Sequence, residues 1–494
     1  MIEISEQDIQ DRMRIDNPWW ETGETHSDVL GMQRRAYFDA FFALVEDHDV
    51  RRAVVLMGPR RVGKTVMLFH LVQKLLASGV KATDVLYLSL DTPLYNRVAL
   101  EKLLRLFVDD LSAQSSSPKY ILFDEVQYLK DWEVHLKSLV DTYREVRFVV
   151  SGSAAAALRM KSKESGAGRF TDFMLPPLTF SEFLDFLGLT DKLITSQETT
   201  DAATNQKKTK YATDNIRNLN DAFSDYLTFG GYPELVVSEA VRANADRYIR
   251  SDIVDSVLLR DLPSLYGIGD IQELNSLFMT LAYNTGQEVT LEGLSKSANV
   301  AKNTLKKYLE YLEAAFLIKR VDRVDRGARK FQRATSFKVY LATPSLRAAL
   351  FGPIHDDDEA MGALVETAIF SQWFHSPEDI RRLSYARWDG GEVDLVYRAP
   401  ATQKPWWAVE VKWSDAQYDR PGRLGSLIDF VRTNQDDLHR VPTCTTKTKV
   451  GRKRTGGVDI DFVQSAIYCY TVGRNLVRNV EREIARQREL DLRP

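Results

Sequence analysis

Between positions 53 and 153 short apolar runs alternate with longer segments in which apolar residues recur every three or four positions. The runs AVVLM (53–57), VLYLSL (85–90), YILF (120–123) and RFVVS (147–151) lack the apolar–polar alternation of a half-exposed strand, so they read as strands buried on both faces. TVMLFHLVQKLLAS and VALEKLLRLFVDDLS, which separate them, read as helices. Strand and helix in turn predict an α/β fold with a parallel, doubly wound sheet. A polar lead-in precedes this region, followed by a helix on which Phe38, Phe41, Phe42 and Leu44 recur near helical spacing. Residues 195–215 are polar and almost free of large apolar groups, which predicts a mobile surface loop. Helical patterns fill 216–285, interrupted by the turn FGGYPE at 229–234. Over 288–318 the spacing predicts a helix lined by Leu291, Leu294 and Ala298. A short turn follows, then a longer helix lined by Leu305, Tyr308, Leu309, Leu312 and Phe316. After DDDEA (356–360) the α/β pattern returns, with VDLVY (393–397) and WWAVEVKW (406–413) as strands. The boundaries expected from these changes are 1–30, 31–190, 191–285, 286–345 and 346–494.

Composition narrows the picture only a little. The chain has 494 residues, enough for two to four domains each with its own core. A formal net charge of -3 gives no whole-chain case for nucleic-acid binding, so any basic surface must be local. The two cysteines, Cys444 and Cys469, form no CxxC pair, which argues against a zinc site or a disulfide framework. The start is charged and lacks the apolar core of a signal peptide, and no run of about eighteen apolar residues occurs. A cytoplasmic protein with no membrane partner is expected.

The first candidate chemistry follows the strand at 53–57. Gly58, Pro59, Arg60, Arg61, Val62, Gly63, Lys64 and Thr65 fit GxxxxGK[ST], placed between a strand and a helix as that motif requires. The two glycines let the backbone curl so that successive N–H groups face phosphate oxygens. Lys64 is read as the charge on the β and γ phosphates and Thr65 as a magnesium ligand, with the helix N-terminus adding its dipole. The strand YILF ends in Asp124 and Glu125. Asp124 is read as the second magnesium-side group and Glu125 as the base for the attacking water. Ser151 and Ser153, at the tip of the next strand, are candidates for the γ phosphate or that water. Arg169 and Arg260 are candidates for the arginine that meets the transition-state charge.

In order, GPRRVGKT, ILFDEVQYLKDWE, VVSGS, GRF, LPPLTFSEFL, FGGYPELV and LLRDLP resemble the prokaryotic AAA-like ATPases that carry an uncharacterised C-terminal domain. The resemblance spans roughly residues 30–415. It implies an ATPase core at 31–190, a helical lid or linker at 191–285, a winged-helix-like domain at 286–345 and a restriction-endonuclease-like domain at 346–494. It also implies ATP and Mg2+ as cofactors, and no guanine-reading NKxD follows the core.

Two further regions carry chemistry. Lys302, Asn303, Lys306 and Lys307 fall at the start of the second predicted helix of 288–318, where a recognition helix would meet DNA. Arg320, Arg323, Arg326, Arg329 and Lys330 follow where a wing could lie. Structural or protein-contact duty, as a spacer or contact module, stays open as the other and slightly stronger reading of this unit. In the C-terminal region Glu366 lies on a predicted helix, Asp394 on one strand, and Glu410 and Lys412 on the next. That arrangement matches the PD-(D/E)xK nuclease pattern. Alternation would bring residues 410 and 412 to one strand face, with Asp394 and Glu410 as metal ligands and Lys412 beside the nucleophilic water. Between Asp437 and Asp459 only basic charges occur, among them Arg440, Lys447, Lys449, Arg452, Lys453 and Arg454, and the stretch reads as a flexible basic loop. The function expected is a magnesium-dependent ATPase coupled to a nuclease-like module acting on nucleic acid, DNA before RNA. The alternative is an ATP-gated switch that binds DNA or protein without cleaving. A homo-oligomer or a protein partner is compatible with both.

Overall fold

The computed structural model describes residues 5–110, 118–152, 168–200, 207–329, 336–374 and 376–491. Ser153 and Lys330, named above, lie outside the described residues. The chain divides into two compact units, 1–176 with 477–494, and 177–476.

In the first unit the buried apolar runs become β1 (Ala53–Met57), β2 (Val85–Ser89), β3 (Lys119–Asp124), β4 (Val146–Gly152) and β5 (Phe170–Met174). They form one sheet in the order β2-β3-β4-β1-β5, with every pair parallel. Because β1, β4 and β3 are parallel, the loops leaving β1 and β3 open on the same end of the sheet, with β4 between them. The helices Lys64–Ala77, Leu100–Asp110 and Trp132–Thr142 supply the crossovers. One face of the sheet contributes Val55, Met57, Leu86, Leu88, Ile121, Phe123, Phe148 and Val150 to a fully buried core. Each such side chain stabilises the fold by about 1.5–3 kcal/mol relative to exposure.

In the second unit the polar stretch expected as a loop is in part a hairpin. β6 (Thr195–Thr200) pairs antiparallel with β7 (Lys207–Ala212), from Thr195 opposite Ala212 to Thr200 opposite Lys207. The reason is visible in composition: threonine is β-branched, and a two-stranded ribbon can satisfy its backbone without burying large apolar groups. Residues 201–206 lie outside the described set.

The rest of this unit is built on a nine-stranded sheet. Its strands are β8 (Glu288–Thr290), β9 (Ile318–Val324), β10 (Ser336–Leu341), β11 (Leu383–Trp388), β12 (Gly391–Arg398), β13 (Pro405–Glu410), β14 (Thr443–Thr446), β15 (Gly451–Thr455) and β16 (Val458–Gln464), in the order β15-β16-β14-β13-β12-β11-β9-β10-β8. β9 and β11 pair in parallel, Ser384 beside Asp322. The sheet therefore runs without a break across position 345, where a domain boundary was expected. Apolar layers cover both faces. Trp407 and Val409 enter a core with Leu364, Val365, Ala368 and Ile369 of the helix Met361–Trp373. Ala408, between them, faces Leu427, Phe430 and Val431 of the helix Gly425–Thr433. The basic stretch expected as a flexible loop is the edge hairpin β15–β16, turning at Gly456 and Gly457, both at positive φ. Its cations are held locally: Arg452 pairs with Asp461, Arg454 with Asp459, and the Lys453 ammonium lies 3.8 Å above the Tyr418 ring.

Candidate functional site

The loop leaving β1 is shaped by two residues in the left-handed region, Arg61 at φ 62° and Gly63 at φ 91°, before the helix Lys64–Ala77 begins. Gly58 has a separate reason to be glycine. A Cβ there would stand 2.1 Å from the Leu175 carbonyl oxygen, just beyond β5. Lys64 is buried, and its ammonium donates to the carbonyls of Gly58 at 3.1 Å and Pro59 at 2.8 Å, so the side chain lies over the loop.

Asp124, 1% exposed, is the centre of this site. Its carboxylate accepts from the Thr65 hydroxyl at 2.7 Å, the Tyr87 hydroxyl at 2.9 Å, the Ser151 hydroxyl and the Glu125 amide at 3.0 Å. The strand order thus brings Thr65, Asp124, Glu125 and Ser151 together, as the sequence suggested. Tyr87 was missed; the only signal was a tyrosine inside an otherwise aliphatic buried strand. Burial, helped by Asp124, pushes the Tyr87 hydroxyl well above its usual range, so it remains a donor. Glu125 sits at φ 54°, accepts from the Gln127 amide, and is pushed up by burial against the opposing pull of Lys64. A carboxyl raised toward neutrality is suited to exchange a proton. A hydroxyl and a carboxylate oxygen side by side at 2.7 Å fit the hard oxygen donors that magnesium takes alongside phosphate.

Arg169 requires a correction. The parallel register sets Phe170 beside Ala53, and the Arg169 carbonyl accepts from the Ala53 amide at 2.8 Å. The residue therefore stands at the opposite end of β1 from the phosphate loop of its own chain, where its side chain pairs with Asp141. Arg35 was missed altogether. It is 5% exposed and donates to the Val62 carbonyl at 2.7 Å and the Pro176 carbonyl at 2.9 Å, tying the loop to the segment after β5.

In the second unit Asp394, Glu410 and Lys412 meet, but not by strand alternation. β13 ends at Glu410 because the Val411 amide turns to Asp394, at 2.9 Å, and the Lys412 amide to the Thr445 hydroxyl, at 2.8 Å. The Lys412 ammonium then lies 2.8 Å from Glu410 and 3.2 Å from Asp394. Glu366 is drawn in by a lysine the sequence reading passed over. Lys338, on β10, is 3.0 Å from Glu366, 2.7 Å from Glu392 and 3.8 Å from Asp394. Tyr340, two residues on, donates to Glu366 at 2.5 Å. A charged residue inside the apolar strand FKVYLA was the available signal. Burial acts against the Asp394 charge, but Lys412, Lys338 and the Val411 amide outweigh it and hold its pKa low. Burial and Asp394 push Glu410 up to about 8. Its Oε2 is buried without a hydrogen-bond partner among the described residues. That orphaned oxygen and the oxygen-rich donor set fit a divalent ion at Asp394 and Glu410. Among the described residues, however, no three His, Cys, Asp or Glu side chains cluster as a metal cage.

The helices Leu291–Ser297 and Lys302–Ala314 form as expected, followed by the antiparallel strands β9 and β10 and flanked by β8. Phe316 falls beyond the second helix, in a turn at φ 58°. Lys302, Asn303, Lys306 and Lys307 are exposed on the first turns of that helix. The arginines behind them are largely committed: Arg320 to Glu313, Arg323 to the Arg387 carbonyl, and Arg326 to Asp429. Arg260 lies in the second unit, on the helical turns Val257–Asp261. No helix of the described residues is long and apolar enough to cross a membrane.

Residues 50–184 match a family described as an AAA domain, and residues 220–356 match a domain family of unknown function. An uncharacterised protein of Haemophilus influenzae is 26% identical over 314 residues, which is 63% of this chain and 72% of that protein. Two uncharacterised proteins of Methanocaldococcus jannaschii are each 25% identical, one over 269 residues (53% of this chain, 55% of the relative) and one over 370 residues (72% and 75%). AMPPCP-bound DnaA from Aquifex aeolicus superposes with a TM-score of 0.27 at 10% identity, covering 56% of this chain and 86% of that one, too loosely to carry a functional argument. The region holding the phosphate-loop motif is thus similar to an AAA domain.

Proposed function

We propose that the chain binds and hydrolyses ATP with magnesium at Gly58–Thr65. In this reading its nucleotide cycle governs a C-terminal module that processes nucleic acid, DNA in preference to RNA, in genome defence or maintenance. The observation that carries the reading is the contact of 2.7 Å between Thr65 and Asp124 at the mouth of a glycine-shaped loop. Thr65 and Asp124 would hold the ion, directly or through water, and Lys64 would exchange the Gly58 and Pro59 carbonyls for phosphate oxygens. The ion would supply charge neutralisation at the phosphates. Glu125, raised by burial, would take the proton of the attacking water, while Ser151 and Tyr87 keep the Asp124 carboxylate in place.

Asp394, Glu410 and Lys412 would form the working group of the nuclease-like module, and the exposed Lys302, Asn303, Lys306 and Lys307 would meet the backbone of a nucleic acid. A second reading, an ATP-gated switch that grips nucleic acid or protein without cutting, is favoured by the two ammonium groups already lodged among the carboxylates. The test is a magnesium-dependent turnover assay with and without DNA or RNA, read alongside a gel of the same substrates. Turnover stimulated by nucleic acid together with cleavage supports the first reading. Shifted but intact substrates support the second. Full ATP turnover by Lys64→Ala overturns both.

A further inference from the structure

Lys338 is 4% exposed, sits on a strand of the sequence region expected to be a winged helix, and touches three carboxylates of the nuclease-like site. Burying an ammonium is costly unless its surroundings return the lost hydration. Here three carboxylates surround it, Glu392 at 2.7 Å, Glu366 at 3.0 Å and Asp394 at 3.8 Å. The ammonium is also fixed from the side, because Tyr340 on the same face of β10 binds the same Glu366 oxygen that Lys338 binds. Glu366 therefore has its charge answered without an added cation.

Glu288, Glu366, Glu392, Asp394 and Glu410 are linked into one network by Lys338, Lys412, Arg323 and Arg387. The only buried oxygen among these carboxylates without a partner in the described residues is Glu410 Oε2, and Lys338 pairs with Glu366, Glu392 and Asp394.

We infer that Lys338 is the built-in cation of the C-terminal site, standing where Glu366 and Asp394 would otherwise hold a second divalent ion. Lys338 acts in this way as a positioning residue. It holds Glu366 and Glu392 in place and leaves Asp394 and Glu410 as the pair open to a metal. The inference rests on the metal-dependent reading only for that last pair; the exclusion of an ion at Glu366 stands apart from it.

The experiment counts Mn2+ bound per full-length chain by EPR, without nucleotide, in the parent and in Lys338→Met, Lys338→Arg and Glu366→Gln, with circular dichroism to verify folding. Lys338→Met should gain one Mn2+ per chain over the parent, and Lys338→Arg should gain none. Glu366→Gln should leave the parent's Mn2+ affinity within about twofold, because its carboxylate is not a ligand. A folded Lys338→Met with an unchanged count overturns the inference. So does a tenfold loss of affinity in Glu366→Gln, and that arm decides the matter if the methionine variant does not fold. A parent that binds no Mn2+ while Lys338→Met binds one refutes the metal-dependent nuclease reading and leaves the role of Lys338 intact.

Discussion

Replacing Arg35 by methionine keeps most of the buried aliphatic stem and removes the two charged donors that brace the phosphate loop from Val62 and Pro176. A hydrogen bond from a charged group contributes about 1.5–3 kcal/mol net, so the pair contributes about 3–6 kcal/mol. Part of this is offset because methionine carries no desolvation cost in the same place. A net loss of about 2–4 kcal/mol remains, which for a unit of this size lowers the unfolding midpoint by about 5–15 °C. Loss of both contacts also unties the loop from the segment after β5. Binding a triphosphate must then re-order it, at a cost of about 1.4 kcal/mol or more, or a tenfold rise in Kd. Calorimetric melting and titration with a fluorescent ATP analogue read the two effects separately. Arg35→Lys, which can reach one carbonyl but not bridge two, should fall between. An Arg35→Met protein that melts within about 2 °C of the parent and binds the analogue unchanged refutes the bracing role.

Gly58→Ala should weaken nucleotide binding at least as much, because the new methyl meets the backbone oxygen of Leu175 and not a movable side chain; unchanged binding in the same titration would contradict this. Asp124→Asn should reduce turnover at least a hundredfold, since an amide meets donors from Thr65, Tyr87 and Ser151 with only one acceptor oxygen; a coupled phosphate-release assay checks it. Glu410 is raised from its ordinary value to about 8, so the folded chain holds that proton more tightly than the unfolded chain. Its contribution is present below the unfolded pKa and fades as pH rises through about 8. Metal-free protein should therefore lose up to a few kcal/mol between pH 5 and 8, and Glu410→Gln should flatten the curve in urea melts.

The first sheet was legible because its strands are buried on both faces, and continuous apolar runs such as Ala53–Met57 have few other readings. The phosphate loop was legible because its chemistry is local: eight consecutive residues carry it. What stayed hidden was held by distant partners. Arg35 precedes an ordinary amphipathic helix and gains its role only when Pro176 comes alongside. Arg169 reads as a site residue until the register with Ala53 assigns it to the far end of the strand. Lys338 and Glu366 are joined across sequence by β10 packing on the helix Met361–Trp373, which no periodicity announces. The paired strands Thr195–Thr200 and Lys207–Ala212, and the hairpin Gly451–Gln464, read as loops in sequence because their polar side chains mask the strand pattern that cross-strand pairing creates.

The parallel pairing of β9 with β11 has a mechanical consequence. Cutting the gene at position 345 to obtain a gripping piece and a cutting piece would strip two interior strands of their neighbours, and both fragments should aggregate through the raw edges. The same continuity makes the sheet a ruler. β9, which follows the helix Lys302–Ala314, stands two strands from β12, which carries Asp394, so the sheet sets their separation in steps of about 4.8 Å per strand.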